Sequence, residues 1–197
     1  MLRPSALSAR LGAALALALL AAPAGAAGLG PLDPYLLLGS EPPWIGAMDG
    51  PGYRLSNSSN AGDIIYFAAD LPGGTAAEVS VRVSVQGQGG ADHSGAGLIF
   101  NVDPEAGTYF ALAVTAQGDL ALYGRNAQGV EEVARLPLTG TTAGGGLRLT
   151  VRATAEGVEI EANGANQGSL DGLELSGQAG IFAIDGGSYR FSDYRVN

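Results

Sequence analysis

The stretch that decides the fold is 95–125, GAGLIFNVDPEAGTYFALAVTAQGDLALYGR. From residue 109 onward apolar residues alternate with small or polar ones, as in two neighbouring strands joined by a three-residue turn. Gly118 takes the third position of that turn, where such hairpins need a left-handed residue that glycine adopts without penalty. With the turn centred on Gln117, Leu112 is predicted to lie opposite Leu122.

The same register divides the hairpin into two faces, because successive side chains of a strand point in opposite directions. One face is apolar and consists of Leu112, Val114, Leu120 and Leu122. The other carries small or polar groups and pairs Ala113 with Ala121, Ala111 with Tyr123 and Tyr109 with Arg125. Since one face must be buried, we expect odd-numbered positions from 109 to 113 to point away from the hydrophobic interior and their even-numbered neighbours to point into it.

Similar short segments recur along the rest of the chain, about every dozen positions, between clusters of Gly, Asn and Asp. This spacing is typical of an all-β sandwich or barrel. Turns are expected at the glycine-rich breakers, including Pro72-Gly73-Gly74. The predicted strands cover 63–67, 78–85, 97–102, 108–115, 119–125, 131–136, 147–153, 158–162, 179–184 and 188–196.

A second hairpin has the same two-faced pattern. Leu149, Val151 and Ala153 can oppose Ala162, Ile160 and Val158, which places Arg152 opposite Glu159 and Thr150 opposite Glu161. The outward face then becomes a ladder of opposite charges. Such pairs contribute from a few tenths to about 1 kcal/mol each, so they define the register more than they stabilise the fold.

The first 26 residues have the pattern of a secretory signal peptide. Arg3 and Arg10 form a basic start, 11–20 is an uncharged run, and Ala24-Gly25-Ala26 is a small-residue cleavage signal. The apolar run is about half the roughly 20 residues needed to cross a bilayer. We therefore predict an exported bacterial protein, periplasmic or secreted, without a membrane span. The following segment, 27–43, contains Pro31, Pro34, Pro42 and Pro43 and is expected to be an extended N-terminal arm.

Composition excludes several classes of function. Every basic residue is Arg, and after the signal 8 arginines stand against 19 carboxylates, a formal net charge of −11. Such a chain should repel nucleic acid and anionic lipid. It has no Cys for disulfides or thiolate chemistry, no Lys for Schiff-base chemistry, and only His93 as an imidazole, with Asp92 beside it. Metal sites that need two histidines are therefore excluded.

Several landmarks along the chain occur in the order found in a known superfamily. They are Gly97-Leu98-Ile99-Phe100, Asp103, Tyr109-Phe110, Gly118, Gly157, Asn163-Gly164, Gly180-Ile181 and the closing run 191–196. In these features the chain resembles the concanavalin A-like (laminin G-like) jelly-roll superfamily. More narrowly, it resembles the bacterial exported branch that includes family 16-like and 3-keto-disaccharide hydrolase domains.

The resemblance implies a two-sheet antiparallel jelly-roll sandwich over 44–197, with Trp44 and Tyr53 in the first strand. One sheet face would be convex and the other concave, and related proteins often hold sugar chains on the concave face. The same fold carries lectins, glycan hydrolases, adhesion modules and domains without known activity. The resemblance therefore predicts the fold more sharply than the function.

The candidate ligand-binding residues are Tyr109, Tyr123 and Arg125. Aromatic rings and a guanidinium beside a floor of alanines could form a shallow shelf on which a sugar ring stacks. The alternative is that Tyr109 and Arg125 are an ordinary stabilising cross-strand pair.

Two further groups are weaker candidates. Glu159 and Glu161 share one strand face at about 7 Å, a separation compatible with a glycosidase acid and base, although Arg152 should neutralise Glu159. Asn101, Asp103 and Glu105 offer oxygen ligands that calcium prefers, but Asp103 is also suited to capping the turn before Thr108. No other cofactor is expected.

Three functions remain open. The first is a non-catalytic exported domain that binds glycan or another extracellular or cell-envelope polymer through Tyr109, Tyr123 and Arg125. The second is a hydrolase of glycosidic bonds in a di- or polysaccharide. The third is a structural or protein-interaction domain without a ligand pocket. The oligomeric state is left open.

Overall fold

Two antiparallel β-sheets pack face to face in the computed structural model, which describes residues 28–86, 94–138 and 146–197. A short 3-10 helix, Gly30–Tyr35, precedes the strands. The strands are β1 Gly39–Glu41, β2 Trp44–Asp49, β3 Gly52–Asn57, β4 Ile64–Thr75, β5 Glu78–Gln86, β6 Gly95–Asp103, β7 Thr108–Thr115, β8 Asp119–Asn126, β9 Gly129–Pro137, β10 Leu147–Ala153, β11 Gly157–Ala162, β12 Ala165–Asp171, β13 Ser176–Ile184 and β14 Gly187–Val196. The predicted all-β two-sheet sandwich is confirmed.

The two sheets differ in the number and order of their strands. Sheet A has eight strands in the order β1-β2-β3-β14-β5-β10-β11-β12, and sheet B has six in the order β4-β13-β6-β7-β8-β9. Strands β6 to β9 follow one another as a meander, whereas β13 and β14 return late in the chain to pair inside the two sheets. This return of late strands next to early ones is the jelly-roll arrangement.

Both predicted hairpin registers are confirmed. In β7–β8, Leu112 lies opposite Leu122 and Tyr109 opposite Arg125, while Gly118 has a φ of 86° in the turn. The register of β10–β11 likewise follows the prediction from Leu149↔Ala162 to Ala153↔Val158. Local alternation and turn chemistry were sufficient to define these pairs.

The main core lies between the sheets and contains the even-numbered side chains of β7. Leu112 is 1% exposed and belongs to this core with Leu120 and Leu122 from β8, and Phe110 and Val114 pack against it. Sheet A contributes valine and leucine from β5 and β10 together with aromatic residues such as Tyr53 and Phe191. The expected parity of the central hairpin is therefore confirmed for the face that meets sheet A.

The segment expected to be an extended arm is partly helical. Gly30–Tyr35 forms a 3-10 helix with proline in its first turn, a position that proline favours because its fixed φ suits a helix start. Leu29 and Leu32 are 1% and 0% exposed in the core, and Asp33 Oδ1 accepts the Leu29 N–H at 2.6 Å. The prediction was wrong because prolines fit an extended chain and a helical first turn equally well.

Three other details differ from the sequence-based expectations. Trp44 and Tyr53 belong to two neighbouring strands, β2 and β3, rather than to one first strand, and both side chains are buried. Strand β4 continues through Pro72-Gly73-Gly74 to Thr75, since an irregularity in its pairing with β13 absorbs the breaker. Strand β12, absent from the prediction, pairs with β11 at the edge of sheet A.

Some predicted features lie outside the described residues. They are the signal peptide over 1–26, Asp92 and His93.

None of the helices in the described part of the chain is long and apolar enough to cross a bilayer.

Gly180→Ala should destabilise the protein by about 1–3 kcal/mol, because the added Cβ would overlap the Phe67 carbonyl oxygen and force backbone movement in the middle of sheet B. Gly118→Asn is the control, since nothing lies within 4 Å of a Cβ there and asparagine tolerates a left-handed turn position. The midpoint of urea unfolding measures the stability of both variants. Equal stability of Gly180→Ala and the wild type would contradict the close β13–β4 packing.

Candidate ligand-binding site

A second apolar cluster lies on the face of sheet B that points away from sheet A. This aromatic face carries Tyr109 and Tyr123, each 3% exposed, above alanines that are fully covered. The cluster comprises Ile99, Val102, Tyr109, Ala111, Ala113, Ala121, Tyr123, Phe182 and Ile184. The odd-numbered side chains of β7 do point away from the main core, but they enter this cluster instead of a polar surface.

The rings cover the alanines because they lie across the sheet. The centroids of Tyr66 and Tyr109 are 5.5 Å apart, and Phe182 is 6.3 Å from Tyr109 and 5.9 Å from Tyr123. Tyr66 on β4 and Tyr109 on β7 stand three strand spacings apart, about 14 Å on a flat sheet. Ring contact over this span requires both side chains to lean over β13 and β6.

The prediction of an open shelf was therefore wrong, because the two tyrosines are buried. Its tyrosines were placed on the correct face, but Tyr66 and Phe182 from strands distant in sequence share that face and cover them. Arg125 remains exposed at the end of the hairpin. Its guanidinium carbon lies 5.9 Å from the centroid of the Tyr109 ring, so the alternative cross-strand pair is present.

Burial raises the pKa of the Tyr109 and Tyr123 hydroxyls, because an ionised phenol loses its water. The nearby guanidinium of Arg125 opposes this rise at Tyr109. At Tyr123 the charge of Glu132 adds to the rise and Arg135 opposes it. Neither hydroxyl has a hydrogen-bond partner of good geometry among the described residues. The polar neighbours of these two buried hydroxyls include the guanidinium groups of Arg125 and Arg135.

A pocket of about 390 Å³ opens where β7 and β8 meet the end of this face. We call it the hairpin-end pocket. Its polar lining consists of Asn101, Thr108, Tyr109, Arg125, Asn126 and Glu131, and its apolar lining includes Phe110, Val133 and Leu173. A pocket of a few hundred Å³ with apolar walls and a few converging polar groups is typical of small-ligand sites. Tyr109 and Arg125 line it, whereas Tyr123 does not.

The two candidate carboxylates lie on the other side of the sandwich. Glu159 and Glu161 project from the outer face of sheet A, since Ile160 between them points into the core. Arg152 contacts Glu161 at 2.8 Å and Glu78 at 2.9 Å, while Glu159 accepts a hydrogen bond from Asn166. The guanidinium of Arg152 makes its close contacts diagonally, with Glu161 and Glu78, while its charge also acts on Glu159 directly opposite. Two sheets separate these carboxylates from the hairpin-end pocket.

Two of the three possible calcium ligands, Asp103 and Asn101, make hydrogen bonds within the protein. Asp103 Oδ1 accepts the backbone N–H groups of Glu105 and Ala106, each at 2.9 Å, which is the turn-capping arrangement. The Asn101 side chain donates to the Glu174 carbonyl oxygen at 2.5 Å and lies 3.4 Å from the Ser176 nitrogen. Calcium binding stays a prediction.

Sequence reasoning missed four residues of this region. Tyr66 and Phe182 belong to the aromatic face, and Asn126 and Glu131 line the hairpin-end pocket. Residues 64–68 and 180–184 are continuous apolar runs, a pattern consistent with strands buried on both faces, and this was a signal for the first two. Their neighbourhood depends on β4 and β13 pairing beside β6, which no local pattern specifies.

Comparisons with solved structures show the same architecture. The carbohydrate-binding module CBM66 from Bacillus subtilis is 14% identical, with a TM-score of 0.59 over 80% of this chain and 97% of that one. A β-glucanase from Bacillus licheniformis is 10% identical, with a TM-score of 0.55 over 76% and 79%. A Bacillus subtilis protein of unknown function with a galectin-like fold is 14% identical, with a TM-score of 0.53 over 78% and 88%.

These likenesses and the strand order show the class of fold: the chain is a two-sheet antiparallel β-sandwich of the jelly-roll type. At such low identity they show the fold alone. No protein-family model and no curated protein matches the chain.

Alkaline pH should unfold the protein as its buried tyrosines ionise. Burial raises the pKa of Tyr53, Tyr109, Tyr123, Tyr189 and Tyr194 above the ordinary value. Their stabilising contribution is therefore complete below pH about 10, the unfolded value, and is lost as the pH rises above it. Phenolate absorbance and circular dichroism, followed together, should show these five groups ionising in step with unfolding.

Comparison of the wild type with Tyr109→Phe and Tyr123→Phe shows how much of the phenolate absorbance comes from each of these two tyrosines. If either residue contributes phenolate absorbance while the protein is still folded, the aromatic face is open to water and the account above is contradicted.

Proposed function

We propose that this protein is an exported, non-catalytic domain that binds glycan through the hairpin-end pocket. The observation that carries the proposal is the pairing of the Tyr109 ring with the exposed Arg125 guanidinium in a pocket of about 390 Å³. A sugar ring offers hydroxyl groups at its rim and C–H bonds on its faces. It therefore suits a site that combines apolar walls with planar hydrogen-bonding side chains.

The polar lining supports this assignment. Asn101 already donates to the Glu174 carbonyl oxygen and accepts from the Ser176 N–H, and the Asn126 oxygen accepts the Gln128 N–H, so these two amides offer mainly their remaining N–H donors. Arg125 carries five donors, and Glu131 carries acceptors only. Hydroxyl groups both donate and accept, so they can satisfy such a mixed set. Phe110, Val133 and Leu173 supply apolar contact area in the same pocket. The carbohydrate-binding module among the structural neighbours shares the fold and agrees with this proposal.

The hydrolase alternative has less support from the arrangement of charges. Among the described residues Glu131 is the only carboxylate lining the hairpin-end pocket, and a glycosidase of the usual kind needs two. Glu159 and Glu161 are held by Asn166 and Arg152 on the outer face of sheet A. Export is proposed from residues 1–26, whose pattern is that of a signal peptide.

Arg125→Gln should lower affinity for a bound glycan about fivefold, because it removes a charged multidentate donor that contributes roughly 1 kcal/mol. Arg152→Gln is the matched control, since it removes the same charge from an exposed arginine on the other side of the sandwich. A glycan array, run with calcium and with a chelator, identifies the ligand, and titration calorimetry measures affinity. Equal weakening by both variants would contradict the pocket, and no binding on the array would leave the structural-domain alternative.

A further inference from the structure

The arginines are distributed unevenly over the molecule. Of the eight that follow residue 26, six project from the outer face of sheet A: Arg54, Arg82, Arg148, Arg152, Arg190 and Arg195. Alternation establishes this direction, because their neighbours along each strand, such as Tyr53, Val81 and Phe191, lie in the main core. In a chain with far more acidic than basic groups, this face concentrates most of the positive charge.

Four of these arginines form a continuous line across four adjacent strands. Arg54 on β3 lies directly opposite Arg190 on β14, and Arg82 on β5 lies directly opposite Arg148 on β10. Arg190 faces Ser84, two residues from Arg82, so the two pairs are diagonal neighbours. We call this line the arginine stripe.

The strand register that forms the stripe brings like charges together and so lowers the stability of the folded protein. Side chains directly opposite each other on antiparallel strands have Cβ atoms about 5 Å apart, and like charges there are destabilising. Two carboxylates in the described part of the chain, Asp49 and Asp193, partly offset these guanidinium charges. Asp49 lies 3.1 Å from Arg190, and Asp193 lies 3.6 Å from Arg82 and 3.3 Å from Arg148. Among residues 28–86, 94–138 and 146–197, Arg54 has no ion-pair partner.

Small hydroxyl side chains fill the spaces between the arginines. Ser84 and Ser192 stand beside them in the same rows, and Arg148 donates to Ser80 Oγ at 3.2 Å. Hydroxyl groups supply further donors to an anion without hindering its approach. The stripe therefore combines fixed positive charges with neutral donors on a partly exposed sheet surface.

Asp193 occupies the place between two guanidinium groups where a bound oxyanion would make the same contacts. Its side chain is 49% exposed, and its φ of 51° is uncommon for a residue other than glycine. It lies where the pairing of β14 with β5 shifts, between Ser192 and Arg195. The Asp193 carboxylate therefore competes with any external carboxylate for contact with Arg82 and Arg148.

We propose that the arginine stripe binds a carboxylated polysaccharide strand lying across β3, β14, β5 and β10. Guanidinium groups pair with carboxylates through two parallel hydrogen bonds. Arginines directly opposite each other lie about 5 Å apart, and the diagonal step from Arg190 to Arg82 is about 7–8 Å. Carboxylates carried one or two sugar residues apart along a polymer can therefore reach both pairs. The stripe lies on the opposite side of the sandwich from the hairpin-end pocket, and its function does not depend on the one proposed there.

The test measures binding of polygalacturonate oligomers to the protein, with dextran oligomers of equal length as the uncharged comparison. We expect binding of polygalacturonate that weakens with added salt, and none of dextran at the stripe. The double variant Arg54→Gln/Arg190→Gln should lose about tenfold in affinity, as expected when two charge-assisted contacts are removed. Arg135→Gln removes one arginine charge from sheet B, on the opposite side of the sandwich, and should leave this affinity unchanged.

Asp193→Asn distinguishes a binding surface from a purely structural ion network. Removal of the competing carboxylate should raise affinity for polygalacturonate several-fold, whereas a structural network would change only thermal stability. Unchanged affinity in Asp193→Asn and in the double arginine variant would overturn the proposal. Tighter binding of polyphosphate than of polygalacturonate would overturn the assignment to a carboxylated polymer.

Discussion

Sheet B has to bury apolar side chains on both of its faces, and this constraint governs the rest of the structure. In β7 the even-numbered residues, such as Leu112, face sheet A, while Tyr109, Ala111 and Ala113 enter the second cluster. A strand covered on both sides can carry few charges. The polar groups of the central hairpin are consequently confined to its ends, where Arg125 and the hairpin-end pocket lie.

The two sheets divide the chemistry of the molecule between them. The outer face of sheet B is aromatic and is covered by its own rings, whereas the outer face of sheet A carries six arginines and the carboxylates that partly neutralise them. A shared core of alternating aliphatic residues holds the faces apart. Neutral sugar rings and charged polymers would therefore meet different sides of the same sandwich.

Local patterns predicted the features that depend on neighbours in sequence. The β7–β8 and β10–β11 registers follow from alternation and from the turn residues, because each hairpin joins adjacent strands. Features that depend on distant pairing escaped prediction. Tyr66 and Phe182 cover Tyr109 only because β4 and β13 lie beside β6, and the arginines align only because β14 inserts between β3 and β5. Strand β12 has no alternating apolar residues and forms through pairing with β11 at a sheet edge.

Thiol labelling of single-cysteine variants tests the two-sided burial of sheet B most directly, since the natural chain has no cysteine to interfere. Cysteines at Ala111 and Ala113 should label as slowly as one at Leu112, because all three side chains are at most 1% exposed. A cysteine at Asn126, which is exposed in the hairpin-end pocket, should label rapidly. Rapid labelling of Ala111→Cys and Ala113→Cys in the folded protein would contradict the account.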